Sequence, residues 1–213
     1  MHSSVAKLAP STQQAIATLY DRFAVPVPTV IEGCPCCIAK RGVDLLIVTP
    51  LRELSGQALW SYISGAFLTV GAERDFIYLL PRIMEIGIAA LDDAQDPPII
   101  LDKLRRADWR LWPADRQVAV ERAVDAWIDE AIVRDRAAVS EGWIGDETED
   151  VLCGAARAGM PLERWRERLL RADAAEVLHH LRQRCTGDTS PFWDLAPGGL
   201  EQLSALLAKA MVA

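Results

Sequence analysis

Apolar residues recur along this chain at spacings of three and four rather than two, and strong helix formers fill the positions between them. That period lays one apolar stripe along each of a succession of helices and offers almost nothing from which to pair a sheet. The expected fold is all-α: an irregular array of antiparallel helices, open to superhelical stacking but without regular repeats, since no segment recurs at a fixed period. With 213 residues the chain is long enough to bury one sizeable core. A single helical domain over 1–213 is expected, with the candidate subdomain break at 142–150, where Gly142, Gly145 and four acids gather.

Capping and breaking residues set the boundaries. Ser11, after Pro10, reads as the N-cap of a first helix that buries Ile16, Leu19, Tyr20 and Phe23 and stops before Pro26 and Pro28. Ser55 opens a second helix carrying Leu59, Trp60, Ile63 and Phe67, with Gly71 closing it in the left-handed conformation. A third runs from Glu73 toward Leu91 with Pro81 inside it, where the lost hydrogen bond predicts a kink or two abutting helices. Asp96-Pro97 starts a short helix to Leu104, and the longest, amphipathic helix spans 113–141. Four more are expected near 146–158, 161–171, 173–185 and 197–212. Residues 24–49, interrupted by Pro26, Pro28, Gly33, Pro35 and Gly42, form a long loop in which Leu45 to Val48 is expected to be buried extended chain.

The net charge of −7 argues against a nucleic-acid partner, because duplex affinity rests on neutralising phosphates with Lys and Arg. No apolar run approaches the roughly 18 residues that span a bilayer, so no membrane partner is expected. The N-terminus lacks the charged and apolar regions of a secretory signal. Five cysteines, three of them in Cys34-Pro35-Cys36-Cys37, cannot be tiled into independent disulfide staples, which fits a reducing cytoplasm.

Three readings stand for that cluster. As thiolates, Cys34, Cys36 and Cys37 bind zinc, with a fourth ligand from Cys153, Cys185, His179 or His180. The usual zinc signature repeats C-x2-C, however, and here C-x-C-C occurs once. As a redox pair, Cys-x-Cys lacks the C-x-x-C spacing that lowers a thiol pKa at a helix N-terminus. As packing, the three are small apolar groups under a proline-rich loop. No cofactor is required by the sequence, and zinc is the one in view.

Glu176 and His179 share a helix face as ligands of di-iron bundles do, but His180 and His2 are the only other histidines, too few for such a site. Arg164, Arg166, Arg168, Arg171, Arg182 and Arg184 surround Trp165, a possible base-stacking group. Glu163 and Glu167 interleave with them, and the Glu167–Arg171 spacing suits an ordinary solvated helix face. The seven tryptophans read as core anchors. No dinucleotide-binding, phosphate-loop, zincin or nucleophile-elbow motif occurs.

Gly33-Cys34-Pro35-Cys36-Cys37, Thr49-Pro50-Leu51-Arg52-Glu53-Leu54 and Asp75-Phe76-Ile77-Tyr78-Leu79-Leu80-Pro81-Arg82-Ile83-Met84-Glu85 together resemble a group of uncharacterised bacterial proteins with no established activity. The likeness spans about residues 30–90. Histidine often stands in that group where this chain has Tyr78, beside an aromatic where it has Leu79, so a metal-ligand role implied there does not carry over to Tyr78. The residues themselves place Asp75, Tyr78, Arg82 and Glu85 near one face of the third helix. That face is a candidate ligand-binding site, or else an Arg82–Glu85 ion pair locks a kinked helix against the cysteine loop.

Much helical area and no complete reactive constellation lead to the expectation of a non-enzymatic, cytoplasmic helical module that binds a protein partner. The alternative is a metal- or small-ligand-binding protein, or an enzyme, centred on the cysteine cluster and the Asp75/Arg82/Glu85 face.

Overall fold

The stripe of Val120, Val124, Trp127 and Ala131 becomes the buried side of a 27-residue helix, about 40 Å long. The computed structural model describes residues 8–36, 38, 42–89, 94–143, 145–187 and 189–209. Among them ten α-helices follow in chain order: α1 (Pro10–Arg22), α2 (Leu45–Val48), α3 (Gly56–Gly65), α4 (Glu73–Ile88), α5 (Pro97–Arg106), α6 (Ala114–Ser140), α7 (Glu147–Arg157), α8 (Arg166–Leu169), α9 (Ala175–Thr186) and α10 (Gly199–Lys209). The described residues form no strand, only two isolated backbone bridges, so the fold is all-α. The long helix, α6, carries α1 and α7, α7 also packs on α5, and α4 joins α1, α5 and α6. One buried apolar cluster extends from Ile16 to Leu207. No helix among the described residues is long and apolar enough to cross a membrane.

Local signals place most helix starts. The Ser55 hydroxyl accepts the Ala58 amide at 3.1 Å as the cap of α3, and Pro97 occupies the first turn of α5. α1 starts slightly earlier than expected, with Pro10 in its first turn and Ala9 as the cap; the Ala9 amide donates to Glu130 on α6. Pro81 neither ends nor divides α4, which runs as one helix from Glu73 to Ile88. Residues 90–93, into which that helix was expected to extend, lie outside the described residues.

Further expectations need correction. Leu45 to Val48 is not buried extended chain but the helical turn α2, in which the Val48 amide donates to Asp44 O and the Thr49 amide to Leu45 O. With no strand to pair against, a helical turn is how this run satisfies its own backbone. Only Leu46 is buried, while Leu45 and Val48 are 56% and 71% exposed. Gly71 does take a positive φ (+73°), yet α3 already closes at Gly65, and Phe67 lies in the turn beyond it with φ of 63°.

The stretch expected as one helix over 161–171 splits into a 3-10 turn, Leu162–Trp165, and the single turn α8. Two of its arginines are drawn to α6, while Arg166 stays near Glu163 and exposed Arg171 pairs with Asp173. Arg164 makes a two-pronged contact with Asp125 (2.7 and 2.8 Å), Arg168 reaches Asp129 (3.0 Å), and the Trp165 indole donates to Asp125 (2.9 Å), all on α6. Burial pushes the Asp125 carboxyl up, but Arg164, Arg168 and Trp165 outweigh it and hold the group below its ordinary range. At 142–150, Asp135 of α6 accepts the amides of Glu147 (3.2 Å) and Thr148 (2.8 Å) and so caps α7 from a neighbouring helix.

Candidate functional site

Residues 31–36 enter the helical body through buried Ile31 and then run antiparallel to the turn that follows α3. The Gly71 amide donates to Glu32 O at 2.7 Å and the Cys34 amide to Thr69 O at 2.8 Å, on either side of a bridge between Gly33 and Val70. Glycine is required at 33 because the two backbones approach so closely. A Cβ there would stand 2.7 Å from Thr69 O and 3.1 Å from Val70 Cα. Past this clip, Pro35 and Cys36 form a turn closed by the Ile38 amide donating to Cys34 O at 3.0 Å. The turn brings Cys36 back over Cys34, with the sulfurs 2.7 Å apart. Both are thiols rather than members of a disulfide; Cys36 is exposed and Cys34 half-buried. Cys34 borders an open groove of about 510 Å³ lined also by Glu32, Leu68, Thr69 and Gly71. Cys37 lies outside the described residues.

The other two described thiols are unlike this pair. Cys153 is fully buried in α7, and burial pushes its thiol up to about 12. Burial, with Glu149 second, pushes Cys185 up to about 11. Both hold their protons at neutral pH and make poor ligands or nucleophiles. His179 is exposed, with its Nε2 3.0 Å from the Gln183 side-chain nitrogen. No group of three or more His, Cys, Asp and Glu is placed to hold a metal among the described residues.

The α4 face divides into separate tasks. Asp75 and Arg82 are seven residues, hence about 10 Å, apart along the helix. Buried Asp75 accepts the Ala72 amide at 2.8 Å with one carboxylate oxygen, while the other lies 3.4 Å from the Arg74 guanidinium. Tyr78 is buried, which raises its phenol pKa. Arg82 pairs with Glu85 at 2.7 Å, as expected, but its Nε donates to Leu54 O (2.7 Å) rather than to the described part of the cysteine loop. The Tyr20 hydroxyl donates to the same Glu85 oxygen at 2.6 Å, and Arg52 stacks over the Tyr20 ring at 3.6 Å. This cluster ties α4 to α1 and to the chain just before α3.

Sequence reasoning missed Tyr62. Its buried hydroxyl lies under Gly71, where an added Cβ would come within 2.8 Å of it. Burial, then the Asp75 charge, raises the Tyr62 pKa. Neither this hydroxyl nor the Asp75 Oδ1 has a hydrogen-bond partner among the described residues. Trp109 and Trp112 are buried and donate to Ala158 O and Glu73, as core anchors do. Exposed apolar side chains are spread along the chain, from Val27, Val30, Leu45, Val48, Trp60 and Leu68 to Leu111, Val118, Val133, Trp143 and Leu195; of these Leu68 lines the groove beside Cys34.

Comparison of the chain with family models, with curated proteins and with solved structures gave no match. What the fold and site define is therefore a structural class: an all-α array that displays a backbone-clipped dithiol.

Proposed function

We propose that this protein is a helical scaffold for a dithiol site, at which Cys34 and Cys36 bind a thiophilic metal ion, with zinc the first to test. The supporting observation is the convergence of the two sulfurs, 2.7 Å apart on a clip that fixes the backbone of Cys34. Burial of small apolar groups does not account for this, because Cys36 faces solvent. Tetrahedral zinc with Zn–S bonds of about 2.3 Å needs sulfurs about 3.8 Å apart. A change in the Cys36 side-chain torsion at its exposed turn supplies that difference. Cys37 and the Glu32 carboxylate, which borders the same groove as Cys34, are the candidates to complete the ligand set. The bound ion would hold the thiols deprotonated and tie the turn to the helical body.

Metal analysis of the reduced protein, with zinc titration against a chromophoric chelator, tests this. One zinc per chain, lost in Cys34→Ser and in Cys36→Ser, is the expected result. A protein that neither carries nor competes for zinc refutes it. A protein partner is the second reading, favoured by exposed Leu45, Val48, Trp60 and Leu68, of which Leu68 lines the groove beside Cys34. On that reading Leu45→Ser with Val48→Ser abolishes co-purification of a defined partner without changing the melting temperature.

A further inference from the structure

We infer a second chemistry for the same pair: thiol–disulfide exchange with small disulfides of the glutathione class, ending in a Cys34–Cys36 disulfide. The inference rests on the same sulfurs as the metal reading but does not require that a metal binds. The two sulfurs are in direct contact, so closing to a disulfide bond of about 2.05 Å needs no change in the course of the chain. Pro35 between them has a fixed φ, so closing the short ring removes little conformational freedom that the chain still has. The Cys34 backbone is already pinned by Thr69 O and by the Ile38 amide, so closure calls for side-chain rotation rather than a backbone shift.

Exposure assigns the order of events. The Cys36 thiolate, formed by losing its proton to solvent, attacks one sulfur of the incoming disulfide. That S–S bond breaks, a mixed disulfide forms on Cys36, and the leaving thiolate takes up a proton. The Cys34 thiolate, at the back of the turn, then attacks Cys36 Sγ. The mixed disulfide breaks and the second small thiol departs. Two protein thiols are oxidised and one small disulfide is reduced to two thiols, so atoms and electrons balance with the small disulfide as the only oxidant. Cys153 and Cys185 do not compete, because both are held protonated by burial.

The test is incubation of the reduced, full-length chain with oxidised glutathione in the presence of a chelator, followed by intact mass and peptide mapping. The wild type is expected to lose two hydrogens and to yield a Cys34–Cys36 cross-link. Cys34→Ser is expected to stop as a glutathione adduct on Cys36, and Cys36→Ser to react about tenfold more slowly, since the half-buried thiol must then attack first. Cys37→Ser is expected to close like the wild type. No cross-link, or a cross-link through Cys37 in place of Cys34 or Cys36, overturns the inference. Because the chelator removes metal, closure without zinc affinity sinks only the metal reading, and zinc affinity without closure sinks only this one.

Discussion

Gly33→Ala tests whether the clip is what positions the thiols. The new methyl would lie 2.7 Å from Thr69 O, 3.0 Å from Ile38 Cδ1 and 3.1 Å from Val70 Cα. Two of these neighbours are backbone, and Thr69 O is also the acceptor for the Cys34 amide, so relief requires the segments to part. Parting forfeits the hydrogen bonds Cys34 N–H to Thr69 O and Gly71 N–H to Glu32 O, about 0.5–1.5 kcal/mol each. Against that, replacing glycine restricts the unfolded chain, worth about 0.4–1 kcal/mol in favour of the variant. The balance centres on a local opening made easier by about 1.3 kcal/mol, a factor of roughly 10 in the open population. Native-state hydrogen exchange reads it directly: the Cys34 and Gly71 amides are expected to exchange faster by that factor, while amides within α6 keep the wild-type rate. If both clip amides exchange at the wild-type rate, the close approach at Gly33 does not hold the site together.

Asp150, on α7, holds its proton well above the ordinary carboxylate range. Burial, followed by Asp146, Glu149 and Asp96, pushes it up to about 7, with Arg184 pulling the other way. The folded chain thus keeps this proton to higher pH than the unfolded chain, so the contribution of Asp150 to stability falls as pH rises from about 4 to 7 and is level above. Asp150→Asn is expected to stabilise the protein by about 2 kcal/mol at pH 8, half the full shift because the group is partly solvated, and by nothing near pH 4. Urea midpoints at the two pH values check this; an equal effect at both would refute it. Tyr20→Phe removes a donor from the Glu85 carboxylate and is expected to cost about 1–2 kcal/mol in urea unfolding, with most of that loss absent in a Glu85→Ala background, which has no acceptor there.

Most of the helical plan is legible because its signals are local. Ser55 caps, Pro97 starts a helix, and the stripe on α6 has the right period. The exceptions are positions where a distant part of the chain decides. Asp135 on α6 caps α7, and Arg164 and Arg168 answer to acids on α6 rather than to Glu163 and Glu167. Arg82–Glu85 is readable from its three-residue spacing, but the Tyr20 hydroxyl and Leu54 carbonyl that complete that cluster are not. At the candidate site, three cysteines in four residues announce themselves. Their pairing against 69–71 depends on a close backbone approach that no periodicity records, and Gly33 is its only trace in the sequence.

The central claim is that Cys34 and Cys36 act as one dithiol. A trivalent monoaryl arsenical, which bridges two thiols only when they are close neighbours, tests it by native mass spectrometry. One arsenical per chain is expected for the wild type and for Cys37→Ser, Cys153→Ser and Cys185→Ser, and none for Cys34→Ser or Cys36→Ser. An adduct that survives loss of Cys34 or Cys36, or a wild type that takes up none, would contradict the account.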